Sequence, residues 1–147
     1  MFGKTSNEPK LLFPGLAGFY AAVSDLWYPM IRITVGACLY VHVWPKLHNP
    51  SGIAAFLAKA GFVPGTFFAY AAIFLETIGA TCVILGLFTR FFAAAIAIEL
   101  ACITFIYMPP QGWGRMEPTF IWGIVMFAIA LRGAGPYSLD RKIGKEL

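Results

Sequence analysis

Glu76 sits inside FLETIGATCVILGLFTR, residues 74–90, an almost unbroken apolar stretch that closes on Arg90. Glu99 lies nine residues beyond Arg90 in a second such stretch, and His42 and Lys46 lie in a third. Cys38, His42 and Lys46 recur at four-residue intervals, so on a helix they share one face. An ionised acid at the centre of a bilayer costs at least ~2.5–3.5 kcal/mol, so such residues normally face inward and are paired or protonated. Two kinds of work suit them there. As interhelical glue each is worth ~0.6–2 kcal/mol; as members of a proton or ligand pathway they follow the default for ionisable groups at membrane depth. Burial favours the neutral form of an acid and a nearby His42 or Lys46 the ionised form, a balance that suits proton exchange. Glu117, followed by Pro118, is a second-rank site that also fits a plain acid at a helix N-terminus, opposite the dipole.

Other chemistry is excluded more simply. Cys38, Cys82 and Cys102 have no ligand spacing and read as small core residues, and no metal-ligand cluster is present. His48, beside Asn49 and Pro50, reads as a solvated loop histidine. A haem pair with His42 is disfavoured because six residues and Pro45 separate the two on one segment. The chain carries no nucleophile elbow, glycine-rich phosphate loop or thiol redox pair, so its residues alone name no reaction.

The elements that position these side chains follow from composition. Of 147 residues, 59% are hydrophobic and 12% charged, against ~45–50% and ~25% in soluble domains. A soluble chain of this size could not hide so much apolar surface, so lipid must cover part of it. Crossing a hydrocarbon layer of ~30 Å takes ~20 apolar residues, and segments 27–47, 66–88, 91–108 and 118–132 qualify. Helices are the open-ended way to cross, because lipid offers the backbone no hydrogen-bond partner. The expected fold is all-α, an integral membrane four-helix bundle. Its connections are a longer loop containing LHNPSGIAAFLAKAGFVPG, a tight turn at Thr89 and Arg90, and the turn-rich MPPQGWGRMEP.

The net charge of +4 forms no patch that would suit nucleic acid; its distribution reads as topology. Lys4, Lys10, Arg90, Arg132, Arg141, Lys142 and Lys145 fall on the side of both termini, and Arg32 begins the first span from that side. Lys46, Lys59 and Arg115 fall opposite, which makes both termini cytoplasmic. Trp27 and Tyr28 then mark the inner interface, and Trp44, Tyr107 and Trp113 the outer one. With ~1.5 Å per residue, Glu76 lies ~21 Å from Arg90 along its helix, Glu99 ~13 Å from Arg90, and His42 ~15 Å from Arg32. The three could therefore meet inside the bundle. Gly79 and Gly86 on the Glu76 face, and Ala93, Ala97 and Ala101 on the next helix, read as small residues that let helices approach closely. Residues 1–26 form an N-terminal cytoplasmic and interfacial part, 27–132 the transmembrane domain and 133–147 a polar cap. Within the first, 11–25 reads as a short interfacial or re-entrant segment in preference to a cleaved signal, since Pro14, Gly15 and Gly18 interrupt it.

ETIGATCVILGLFTR resembles the second-helix signature of the DoxX family of small four-helix membrane proteins. RITVGACLYVHVWPKL, 32–47, resembles the family's first helix and GAGPYSLDRKIG, 133–144, its closing motif. Val43 and Ala80 stand where the family commonly has glycine. The matching positions are Arg32, His42, Lys46, Glu76, Arg90, Glu117, Tyr137 and Asp140; Glu99 has no clear counterpart. Asp140 is expected to cap the short RKIGKEL tail, and Gly133 and Gly135 to end the fourth helix. The resemblance implies a multi-pass protein of a bacterial-type cytoplasmic (inner) membrane, linked to quinone-reducing or thiol-related oxidoreductase complexes without itself implying catalysis. The expected function is an accessory subunit of a quinone-linked respiratory oxidoreductase, its partners the lipid bilayer and other membrane subunits. A His42–Glu76 pair would supply acceptor and proton route to a quinone, with the electrons belonging to a cofactor elsewhere. The rival is a scaffold protein that packs against a larger membrane complex without chemistry. A small proton-coupled transporter ranks last, since no inverted repeat or broken helix pair is visible.

Overall fold

A computed structural model of the chain describes residues 11–146; Lys4 and Lys10, counted in the topology above, lie outside them. The elements are α1 (Ala17–Val23), α2 (Trp27–His48), α3 (Pro50–Lys59), α4 (Gly65–Leu85), α5 (Thr89–Tyr107), α6 (Trp113–Arg132) and α7 (Leu139–Ile143). The described residues contain no strand. Three helices, α4, α5 and α6, are long and apolar enough to cross a membrane. The 22 residues of α2 give it a comparable length, ~33 Å, but Arg32 and Lys46 make it less apolar.

Helix α5 packs along α6, α2 along the second half of α4, and α3 along its first half. Leu39, Val83, Ala93, Ile96, Met126 and Ile129 fill the centre. Outward stand Val41, Phe67, Phe91, Ile98 and Leu131, each well exposed, the pattern of helices whose outer faces meet lipid. Close approach depends on small residues, as expected for Ala93 and Ala97, which are buried on the face of α5. A Cβ on Gly79 would stand 3.2 Å from the Phe92 ring, which places that glycine against α5.

Several local expectations are corrected. The stretch taken for a long loop contains α3, because Asn49 caps its N-terminus by accepting from the Gly52 N–H at 2.9 Å and Pro50 opens its first turn. His48 is the last residue of α2, its ring 4.7 Å from that of Trp44. The turn between α4 and α5 comes earlier than Thr89 and Arg90, which are the first residues of α5. Gly86 forms that turn and does not lie on the Glu76 face. Its φ of +68° suits glycine, and a Cβ there would fall 2.6 Å from Arg32 Nη1. Helix α6 begins at Trp113, so Pro118 lies inside it and Glu117 sits in its second turn instead of at its mouth. Proline is tolerated within membrane helices, where neighbouring groups take up the freed carbonyl.

Two wide, π-type turns interrupt otherwise regular helix, Leu75–Gly79 in α4 and Ile103–Tyr107 at the end of α5. The first carries Glu76. Its Thr77 carbonyl accepts from Tyr40 Oη at 3.1 Å and from Thr81 Oγ1 at 2.8 Å, so hydroxyls satisfy the backbone that the wide turn disturbs.

Candidate functional site

The polar residues gather at two ends of the helical body, and the two gatherings do different things. At the end holding the α4–α5 turn, they tie backbone to backbone. Arg32, 1% exposed, donates to the Ala134 carbonyl and, at 2.9 Å, to that of Tyr137, a residue with φ +55°. Tyr28 donates its hydroxyl to the Gly133 carbonyl, and the Arg132 guanidinium lies over the Trp27 and Tyr28 rings. Arg90 donates to the carbonyls of Ala130, Leu131 and Arg132 at 2.7–3.2 Å and pairs with Glu146 at 2.9 Å. A cation there meets the negative end of α6.

Asp140 has a different job from the one expected. Ser138 caps α7, accepting from the Arg141 N–H at 3.3 Å. Asp140 instead reaches across to α5, where it accepts from Phe88 N–H at 2.8 Å, Thr89 N–H at 3.0 Å and Thr89 Oγ1 at 2.9 Å. A carboxylate on the first N–H groups of a helix satisfies orphan donors and opposes the dipole. Gly133 ends α6 as expected, with φ +86°. Arg32, Gly86, Arg90, Tyr137 and Asp140 thus form one clasp that holds the start of α5, the end of α6 and the start of α2.

At the other end lies a cavity of about 480 Å³. Helix α3 covers it with Ile53, Phe56 and Leu57, while Phe68, Tyr107 and Trp122 add aromatic wall. Four His, Lys and Glu side chains reach it, His42 and Lys46 from α2, Glu76 from α4 and Glu99 from α5. The expected juxtaposition of these residues is therefore present, with different partners. Lys46 Nζ donates to both oxygens of Glu76 at 2.6 Å, the glutamate side chain 3% and the lysine side chain 20% exposed. His42 makes no bond to Glu76. Its Nδ1–H donates to the Cys38 carbonyl at 3.1 Å, which leaves Nε2 as the acceptor, and its ring stands edge-on to Trp122 at 4.9 Å. The Glu99 carboxyl is buried with no hydrogen-bond partner among the described residues. Glu117 does not line this cavity, although its neighbours Pro118 and Thr119 do.

The DoxX family model matches residues 27–109, from the first residue of α2 to just past the end of α5. The chain belongs to the DoxX family. DoxX is a membrane family, which agrees with the several candidate spans. The matched region carries every titratable group of the cavity and, of the clasp, Arg32, Gly86 and Arg90; Glu117, Tyr137 and Asp140 lie beyond it. No curated protein and no solved structure matches the chain. Sequence reasoning missed the covering helix and Trp122. The Asn-Pro start of α3 was a usable signal for the former; a lone tryptophan in an apolar run gives none for the latter.

Proposed function

We propose that this DoxX-family chain is an integral-membrane accessory subunit of a quinone-linked respiratory oxidoreductase in a bacterial-type cytoplasmic membrane. In this reading α2, α4, α5 and α6 form a four-helix transmembrane domain, residues 27–132. Both termini face the cytoplasm, and residues 1–26 and 133–147 lie at that interface. The charge distribution supports this orientation, since Arg90, Arg132, Arg141, Lys142 and Lys145 share the clasp end and Lys46, Lys59 and Arg115 the other. The cavity then opens in the outer half of the bilayer.

One observation carries the functional part, an apolar and aromatic cavity of about 480 Å³ into which an ion pair and a free acid project. That volume is within the ~300–1,000 Å³ usual for small-molecule sites, where a few convergent polar groups fix orientation. A quinone is a flat apolar ring with two carbonyl acceptors, and it supplies the two-electron, two-proton chemistry. The chain's own residues bind and move protons. Lys46 is a cationic donor, His42 Nε2 an acceptor, and Glu76 holds Lys46 in place while offering a route for a proton. The partners in this reading are the bilayer and the subunits that hold the redox cofactor.

Glu76→Gln tests it in the assembled complex. Quinone-linked turnover is expected to fall roughly a hundredfold or more, the scale of a lost proton-transfer group, with the complex intact by gel filtration. Unchanged turnover would favour the scaffold reading, in which the helices plug a gap without chemistry.

A further inference from the structure

Of the four His, Lys and Glu side chains that line the cavity, three are hydrogen-bonded within the protein and Glu99 is not. Lys46 is committed to Glu76 through both carboxylate oxygens at 2.6 Å. His42 is held by the Cys38 carbonyl. Both Glu99 oxygens are buried, and no group among the described residues lies within hydrogen-bonding reach of either. The cavity thus contains one lysine and two acids, and the lysine balances one of them. A second carboxylate with no partner, in an apolar wall and near a first, is far more stable carrying a proton. A neutral carboxylic acid is a donor as well as an acceptor, so the wall presents one O–H that bonds to no acceptor among the described residues.

The charge count also selects the ligand. With Lys46 and Glu76 cancelling, His42 serving as an acceptor at Nε2 and Glu99 neutral, the site has no net charge to offer. A charged ligand would have to break the ion pair or ionise Glu99. The aromatic wall of Phe56, Phe68, Tyr107 and Trp122 favours a flat ring. We infer that Glu99 is a neutral carboxylic acid whose O–H donates to one oxygen of an uncharged, lipid-soluble ring ligand, while Lys46 serves the other polar edge of the same ligand. The inference rests on the quinone reading for the identity of the ligand and goes beyond it in assigning the second contact and the protonation state.

The test uses the full chain in lipid nanodiscs with a short-chain benzoquinone as probe. Binding is read from the quenching of tryptophan fluorescence, with Trp122→Phe identifying the cavity signal. The protonation state is read from the infrared carbonyl stretch of a protonated carboxyl group. A band present at neutral pH, lost in Glu99→Gln and displaced by the quinone is the expected result. Glu99→Gln keeps an N–H donor and should bind within about threefold of the wild type, whereas Glu99→Leu should bind about tenfold more weakly, the worth of one hydrogen bond. If the wild type and Glu99→Gln share the same infrared spectrum in this region, Glu99 is ionised and the inference is overturned. Equal affinity in Glu99→Leu and the wild type overturns it as well. In both cases binding by the wild type leaves the quinone reading standing. Absence of quenching in the wild type overturns that reading and the donor assignment together.

Discussion

Replacing Lys46 by methionine and Glu76 by glutamine, singly and together, should give unequal costs that do not add. Lys46 Nζ contacts both Glu76 oxygens at 2.6 Å, but the two partners differ in their access to solvent, 20% for the lysine side chain and 3% for the glutamate. Lys46→Met strands a buried carboxylate, and removing one partner of a buried pair costs ~3–5 kcal/mol. Glu76→Gln strands an ammonium that can still reach solvent and still finds the amide carbonyl as an acceptor. That loss is closer to the ~1–2 kcal/mol of a charge-assisted bond. The double variant has neither charge, so its cost should be ~1–2 kcal/mol, because a buried pair contributes little net stability over neutral groups of similar volume. The coupling between the two positions is then at least ~2 kcal/mol. Unfolding of the four proteins by sodium dodecyl sulfate in mixed micelles, followed by circular dichroism, measures all three differences. Additive costs would refute the pairing, and a Lys46→Met variant no worse than Glu76→Gln would refute the argument from unequal exposure.

Asp140→Ala leaves three donors on Phe88 and Thr89 without their acceptor and should cost ~2–4 kcal/mol in the same unfolding assay; a cost under ~1 kcal/mol would mean that Asp140 does not cap α5. For topology, a membrane-impermeant maleimide applied to intact cells should label Ser51→Cys, an exposed position at the cavity end, and not Lys145→Cys, exposed at the clasp end. The reverse pattern would invert the orientation.

The sequence reading located the apolar helices well because their signal is long and summed over many residues. Helix α3 escaped it for the opposite reason. Its ten residues open on the proline of an Asn-Pro pair that marks a helix start as readily as a turn, and the covering role of Phe56 and Leu57 depends on contacts outside the segment. The titratable residues of the cavity were legible as charges in apolar surroundings. Their pairing was not. His42 and Lys46 share a face of α2, and which of them meets Glu76 depends on the rotation of α4. That rotation includes the wide turn at Leu75–Gly79, a backbone feature that no residue pattern in LETIG announces. Asp140 was misassigned for a related reason. A local cap was available in its own tail, but Ser138 had already filled it, which released the carboxylate for a helix some fifty residues earlier in the chain. Pro118 misled by position, since proline is favoured at a helix start and also tolerated within one that lipid and neighbours support.

The separation of the two polar clusters explains how a small helical body can keep an ion pair and a free acid within an apolar cavity. At the clasp end, the bonds made by Arg32, Arg90 and Asp140 run mainly to backbone groups at helix ends, so they fix the helices without relying on the packing around Glu76. At the cavity end the helices leave about 480 Å³ lined in part by α3, which belongs to neither cluster. A buried ion pair is weak support for a fold, and a buried acid without a partner opposes folding. If their purpose were stability, the clasp would make them redundant and an apolar core would serve better. Their presence in the wall of a cavity, away from the clasp, is therefore the physical reason to look for a ligand there, and it holds whichever lipid-soluble molecule proves to enter.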